Sequence, residues 1–268
     1  SPERGYFTAY DSNSASYVSM DQAGQVTALY ETGLPAPIRC MEYVGGYVFS
    51  ITEDNSLCVA DDSDLSYTQR ICKLDPQAEQ LITFFNDMAY NRADGKLYGQ
   101  FYSQLNAEEK PYLCTIDMHS GDLDVIGELP EDVNTMAIDG EGNFYSAGFN
   151  SNLLYTYTLD QAFGENPAMT LVGEMGYYYS NNLSSMAWDH NEDKLYWAFP
   201  NTLVEINPET AEPTLRGYHT ELLLGLYVTP TEDEGLFDPV DTISSVELNL
   251  TQTRVLKGGS YTLEASVW

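Results

Sequence analysis

Asn86-Asp87-Met88-Ala89-Tyr90-Asn91 is the stretch on which the fold turns, because it returns twice further along the chain. The copies are Asn134-Thr135-Met136-Ala137-Ile138-Asp139 and Ser184-Ser185-Met186-Ala187-Trp188-Asp189. Looser copies run from Arg39 through Cys40 to Val44 and from Leu223 to Val228. From Met41 through Met88, Met136 and Met186 to Gly225 the steps are 47, 48, 50 and 39 residues. A period of roughly 40–50 residues is the length of one β-propeller blade.

Three other strand types keep the same beat. A second strand reads Gly5-Tyr6-Phe7, Gly46-Tyr47-Val48-Phe49, Leu97-Tyr98, Phe144-Tyr145 and Leu195-Tyr196-Trp197. A third ends at Met20-Asp21, Leu74-Asp75, Ile116-Asp117, Leu159-Asp160 and Ile206-Asn207. A fourth is expected over 26–30, 80–84, 123–127, 170–173 and 214–217. Each type occurs five times, so the expected fold is all-β: a five-bladed propeller over residues 3–232, with twenty strands. The chain opens on a second strand and ends its repeats on a first strand. The two ends therefore share one blade and close the ring without leaving an open edge.

Asp, Asn and Gly fill the hairpins between first and second strands, at 91–95, 139–143 and 189–193, as tight turns require. On these residues the chain resembles propellers with YWTD-type or NHL-type repeats, most closely over Asp189 to Trp197. The resemblance implies fold and little about activity. From about Pro239 the beat stops. Residues 240–268 are read as the truncated start of an Ig-like domain. Val246, Leu248, Leu256, Lys257, Gly259, Leu263 and Ala265 fall on a pattern similar to the opening of a bacterial immunoglobulin-like domain of group 2. That resemblance implies a secreted or cell-surface bacterial protein that continues beyond Trp268. The start SPERGYF carries no basic and apolar leader, as expected if a signal peptide has been removed or the segment excised.

Composition narrows the function classes. Against 41 acidic side chains stand 11 basic ones, giving a net charge of −30. Such a surface repels phosphate backbones and has few cations with which to release counterions, so nucleic acid is not an expected partner. No apolar run approaches the ~20 residues of a membrane-spanning helix, so direct membrane insertion is not expected. The 21 Tyr and 10 Phe residues favour pleated, half-buried surfaces. Four cysteines show no zinc spacing. Cys72 and Cys114 are read into one packing slot with Val18, Tyr157 and Val204. Cys40 is read as incidental in the slot of Asp87, Thr135 and Ser185, and Cys58 into a stretch peculiar to the second repeat. A disulfide from Cys58 to Cys40 or Cys72 stays open. His119, His190 and His219 lie near turns of different repeats, so no cofactor, metal or catalytic triad is expected.

Comparing repeats picks out a candidate site. Innermost strands line the channel of a propeller, and their first residues ring one mouth: Arg39, Asn86, Asp87, Asn134, Thr135, Ser184 and Ser185, with Leu223 and Leu224 the apolar fifth copy. One step deeper, Glu42 replaces Ala89, Ala137, Ala187 and Leu226, a carboxylate that needs solvent or a partner; Arg39 and Asp87 are the expected partners. The loop ahead of the Ser184-Ser185 copy carries Tyr177, Tyr178, Tyr179 and Asn181, suited to stacking on and hydrogen bonding sugar rings. The expected function is a non-enzymatic extracellular binding or adhesion module of a larger bacterial surface protein. Its ligand is a glycan or a protein, and the chain is expected as a monomer within a longer multidomain protein. The alternatives are a structural spacer, or a propeller glycosidase using Glu42 and Asp87 as its carboxylate pair.

Overall fold

The computed structural model describes residues 3–74, 82–103, 110–177, 183–232 and Phe237. Contacts divide the chain into residues 1–237 and 238–268, and the second stretch, with the proposed Ig-like pattern, lies outside the described residues. The first is a five-bladed propeller of four-stranded antiparallel sheets. The first blade holds β1 (Phe7–Asp11), β2 (Ser16–Met20) and β3 (Val26–Glu31). The second holds β4 (Ile38–Val44), β5 (Tyr47–Thr52), β6 (Ser56–Asp61) and β7 (Asp64–Lys73). The third holds β8 (Ile82–Asn91), β9 (Lys96–Ser103), β10 (Tyr112–Ile116) and β11 (Leu123–Glu128). The fourth holds β12 (Ala137–Ile138), β13 (Phe144–Ala147), β14 (Leu153–Tyr157) and β15 (Thr170–Glu174). The fifth holds β16 (Ser185–Asp189), β17 (Lys194–Phe199), β18 (Thr202–Ile206) and β19 (Pro213–Tyr218). Finally β20 (Leu223–Val228) returns to pair with β1, from Phe7↔Val228 to Asp11↔Leu223, as the innermost strand of the first blade. No described helix is long and apolar enough to cross a membrane.

Burial follows position in the blade. The two inner strands are covered on both faces by neighbouring blades, so β1, β5 and β20 read as nearly continuous buried runs. The outermost strands are mostly exposed. Five hydrophobic clusters sit one at each blade interface. Between the second and third blades Phe49, Leu57, Phe85 and Phe101 meet, and Phe237 packs edge-on against Phe49 with ring centroids 5.1 Å apart. Each fully buried side chain of this kind contributes about 1.5–3 kcal/mol.

The structure corrects the strand assignment in two blades. Residues 56–61 and 64–73 are the third and fourth strands of the second blade, so Leu74 follows the fourth strand instead of ending the third. Of the fourth strand expected at 80–84, residues 82–84 open β8, the inner strand of the next blade, and 80–81 lie outside the described residues. Cys72 therefore sits on an outer strand opposite Leu57, while Val18, Cys114 and Val204 do share a third-strand position and Tyr155, not Tyr157, takes it in the fourth blade. Cys58 belongs to β6, and all four cysteines are free thiols. In the fourth blade Leu159 and Asp160 begin a short helix, α1 (Leu159–Phe163), because Thr158 and Gln161 form a reciprocal capping box.

A bulge recurs at the same place between third and fourth strands of every blade, for example between Leu203 and Val204 of β18. Glycine stands opposite it at Gly127, Gly173 and Gly217. The reason is visible at Gly217, where an added Cβ would lie 1.7 Å from the backbone oxygen of Ala23, in the β2–β3 turn of the first blade. The missing side chain lets the last blade approach the first and the ring close. Arg4 fastens the first blade to the second: its guanidinium meets Asp62 at 2.9 Å and the Tyr227 hydroxyl at 3.1 Å, while Tyr227 donates to Asp62 at 2.6 Å. Gly217→Ala should destabilise the propeller by about 1–3 kcal/mol, the usual range for overpacking, read as a lowered urea midpoint with an unchanged slope.

Candidate functional site

The inner strands β20, β4, β8, β12 and β16 each turn an unpaired sheet edge toward the axis, and N–H groups on such an edge need acceptors. Side chains of the ring residues supply several of them across blade boundaries. Asp87 accepts from its neighbour Met88 N at 2.9 Å and from Met136 N of the fourth blade at 2.7 Å. Glu42 accepts from Tyr43 N at 2.7 Å and from Tyr90 N of the third blade at 3.1 Å. Ser185 Oγ accepts from Leu226 N at 2.7 Å. Thr135 Oγ1 accepts from Ala147 N at 3.0 Å, taking the place of a ladder bond. With Met136 N given to Asp87 as well, β12 shrinks to two residues.

The mouth where the inner strands begin, here the near mouth, is therefore not an open polar ring. Asn86, Asp87, Asn134, Thr135, Ser184 and Ser185 are all buried. Asn86 Nδ2 donates to Val133 O at 3.1 Å and Asn134 Nδ2 to Ser184 Oγ at 3.3 Å, continuing the belt from blade to blade. The expected pairing of Arg39 with Glu42 is replaced: the half-buried guanidinium lies over the Phe84 ring, 4.7 Å from its centroid. Arg39 can make that contact without crossing to Glu42, whose oxygens already hold backbone N–H groups. Burial lowers the Arg39 pKa. Asp87 does feel Glu42. Burial raises its pKa well above the usual carboxylate range, the Met136 and Met88 N–H groups act the other way, and the Glu42 charge adds to the rise. Tyr177 packs on Phe199 with centroids 5.3 Å apart, as part of the core between the fourth and fifth blades. Tyr178, Tyr179 and Asn181 lie outside the described residues.

At the far mouth, where the inner strands end, a chamber opens that all five blades line. Met88, Met136, Met186 and Leu226 close its floor and Glu42 stands in its wall. Toward the opening come Tyr43, Tyr90, Trp188 and Tyr227, one register position repeated in four blades, with Arg92 and His190 from the hairpins of the third and fifth blades. The chamber encloses about 470 Å³ including its open part, but only about 20 Å³ admits a water-sized group. The Trp188 ring stacks on Tyr145 at 5.4 Å, and its Nε1–H is buried without a hydrogen-bond partner. Burial, then the charge of Arg92, lowers the His190 pKa from 6.5 to about 4, so the imidazole is neutral near pH 7. Reading the repeats at their polar entrance missed this chamber. Its signal was present in the aromatic residues two places after Met41, Met88, Met186 and Gly225.

No group of three or more metal-binding side chains occurs among the described residues. No family model matches the chain, and no curated protein matches it. Two solved structures are similar in chain path. One is a structural-genomics protein of unknown function from Bacteroides thetaiotaomicron, 14% identical over 66% of this chain and 42% of its own, with a TM-score of 0.45. The match thus spans less than half the length of that protein. The other is a luciferin-regenerating enzyme, 10% identical over 82% of this chain and 76% of its own, with a TM-score of 0.47. Neither likeness bears on activity or ligand.

Two outcomes follow from the geometry. Asp87→Asn turns an amide N–H₂ toward a backbone N–H it cannot accept, and should cost about 1–3 kcal/mol of stability, measured by chemical denaturation. His190 has a folded pKa near 4 against 6.5 when unfolded, so the unfolded chain takes up its proton first as pH falls. Its contribution is present above pH 6.5 and lost progressively toward pH 4. His190→Asn should flatten that part of the acid limb relative to the parent protein, seen in urea midpoints taken at pH 7 and pH 5.

Proposed function

We propose that the propeller is a non-enzymatic binding module that takes its ligand at the axis of the ring. The observation that carries this reading is the state of the two inner carboxylates. Each oxygen of Asp87 and of Glu42 already accepts a backbone N–H, one from its own strand and one from the next blade. A glycosidase needs one carboxyl group free to give a proton and another facing the sugar or a water across an open cleft. Asp87 is only 3% exposed. The pair is occupied in joining blades, which favours binding over hydrolysis.

The module works outside a bacterial cell within a longer surface protein, a reading supported by the resemblance of residues 242–267 to the start of a bacterial Ig-like domain. Its net charge of −30 keeps it soluble and apart from anionic polymers. The test is a binding screen of the 268-residue chain against immobilised glycans and host or bacterial surface proteins, with mass spectrometry of the soluble products. Retention without product is expected. Release of shortened glycans would overturn the non-enzymatic reading, and absence of retention across the panel would favour a spacer.

A further inference from the structure

The seam between the third and fourth blades gathers buried polar atoms that the protein itself does not pair. Gln100, on β9, is fully buried, and neither its Nε2 nor its Oε1 has a hydrogen-bond partner among the described residues. Asn86 Oδ1, Ser146 Oγ and the Tyr157 hydroxyl are buried and unpartnered in the same sense. Folded proteins rarely leave such groups dry.

Strand register places all four residues on this seam. Asp87 and Leu113 stand opposite Gln100 on the two neighbouring strands, so the three side chains share a face. Leu113 belongs to the cluster between the third and fourth blades, and Asp87 reaches Met136 N of the fourth blade. That face therefore looks across the seam. A bulge sets Asn86 beside Asp87 opposite Gln100, and Asn86 Nδ2 crosses to Val133 O. From the other side, Phe144 and Tyr157 belong to the same cluster. Ser146 stands two residues beyond Phe144 on β13 and so on its face. Burial raises the Tyr157 pKa and nearby Ser146 acts the other way.

Height along the seam matches as well. Tyr98 and Phe144 meet edge to face across it, with centroids 5.1 Å apart. β9 and β13 are both second strands and run the same way, and two residues further along each lie Gln100 and Ser146. The aromatic rings lie toward the far mouth. Toward the near mouth, Asn86 Nδ2 and the Tyr102 hydroxyl both donate to Val133 O. The buried amide is peculiar to this seam: opposite Cys40, Ser185 and Leu224 stand Ile51, Ala198 and Tyr10.

Chemistry selects the occupant. Gln100 offers N–H donors as well as a carbonyl, the two hydroxyls give or accept, and Asn86 Oδ1 only accepts. A hard cation wants oxygens alone, and both oxygens of Asp87, the carboxylate of this seam, already accept backbone N–H groups. Water both gives and accepts, and two to four polar partners hold it in a buried site. We propose that the seam between the third and fourth blades binds ordered water between the Gln100 carboxamide, Ser146 and Asn86, as a fixed part of the joint. The water site is independent of the ligand that the module takes.

The test combines a high-resolution crystal structure of the 268-residue protein with urea denaturation of Gln100→Leu, Ser146→Ala and the double variant. Density within hydrogen-bond distance of the Gln100 carboxamide and Ser146 Oγ is expected. Gln100→Leu puts apolar atoms in place of the amide and deprives the other groups of their water, so its urea midpoint should fall by roughly 0.5 M. Adding Ser146→Ala should restore part of that loss, because it removes a hydroxyl left unpaired. A dry seam gives the opposite result: a raised midpoint in Gln100→Leu, additive with Ser146→Ala, and no density between the groups. That outcome would overturn the proposal. Density ringed by roughly 6–8 oxygens at 2.3–2.6 Å, with a midpoint that rises with calcium, would put a cation in place of water and overturn it too. Should Gln100→Leu fail to fold, the density in the parent protein decides.

Discussion

The contact on which the rest of the structure depends is the acceptance of inner-strand N–H groups by side chains of the preceding blade. A propeller gathers five sheet edges around one axis, and the N–H groups on those edges would be costly to bury unpaired. Asp87 answers this between the third and fourth blades, Glu42 between the second and third, and Ser185 between the fifth and first. Each side chain also fixes the height at which its blade meets the next, because it accepts from one N–H of the neighbouring inner strand. Apolar packing at the five interfaces supplies most of the stability, but it is tolerant of small slides. The hydrogen bonds are not.

The same contacts explain why the near mouth is a belt and the far mouth a chamber. Toward the beginning of the inner strands the polar residues, Arg39 apart, are short, and they are drawn between blades by their partners. Asn86 reaches Val133, Asn134 reaches Ser184, and the guanidinium of Arg39 settles on Phe84. Toward the ends of the strands the repeat places aromatic rings. There a space remains at the axis that these rings line together with Glu42, Arg92 and His190. Methionines and Leu226 divide the two regions.

Ring closure uses different means on inner and outer edges. Inside, β20 zips against β1, and Arg4, Asp62 and Tyr227 tie the N-terminal segment, the second blade and the last strand at one point. Outside, a glycine at the bulge of β19 admits the turn of the first blade. The absent side chain at Gly217 is what this approach requires.

The sequence alone determined the number of blades, their length, the strand shared by the two chain ends and the residues facing the axis. All of these follow from periodicity, and a repeat that returns at Met88, Met136 and Met186 leaves one way to stack. Periodicity was least informative in the second blade, where an outer strand ten residues long displaced the beat and Cys72 was read one strand too early. Only the tertiary structure decided what the axial residues do. Asp87 and Arg39 have the same polarity whether they face water or a neighbour. Their roles depend on which backbone N–H or ring lies within 3–5 Å, and here those are Met136 N at 2.7 Å and Phe84 at 4.7 Å. Sequence fixes which groups approach the axis; only the closed ring brings each of them against a partner from another blade.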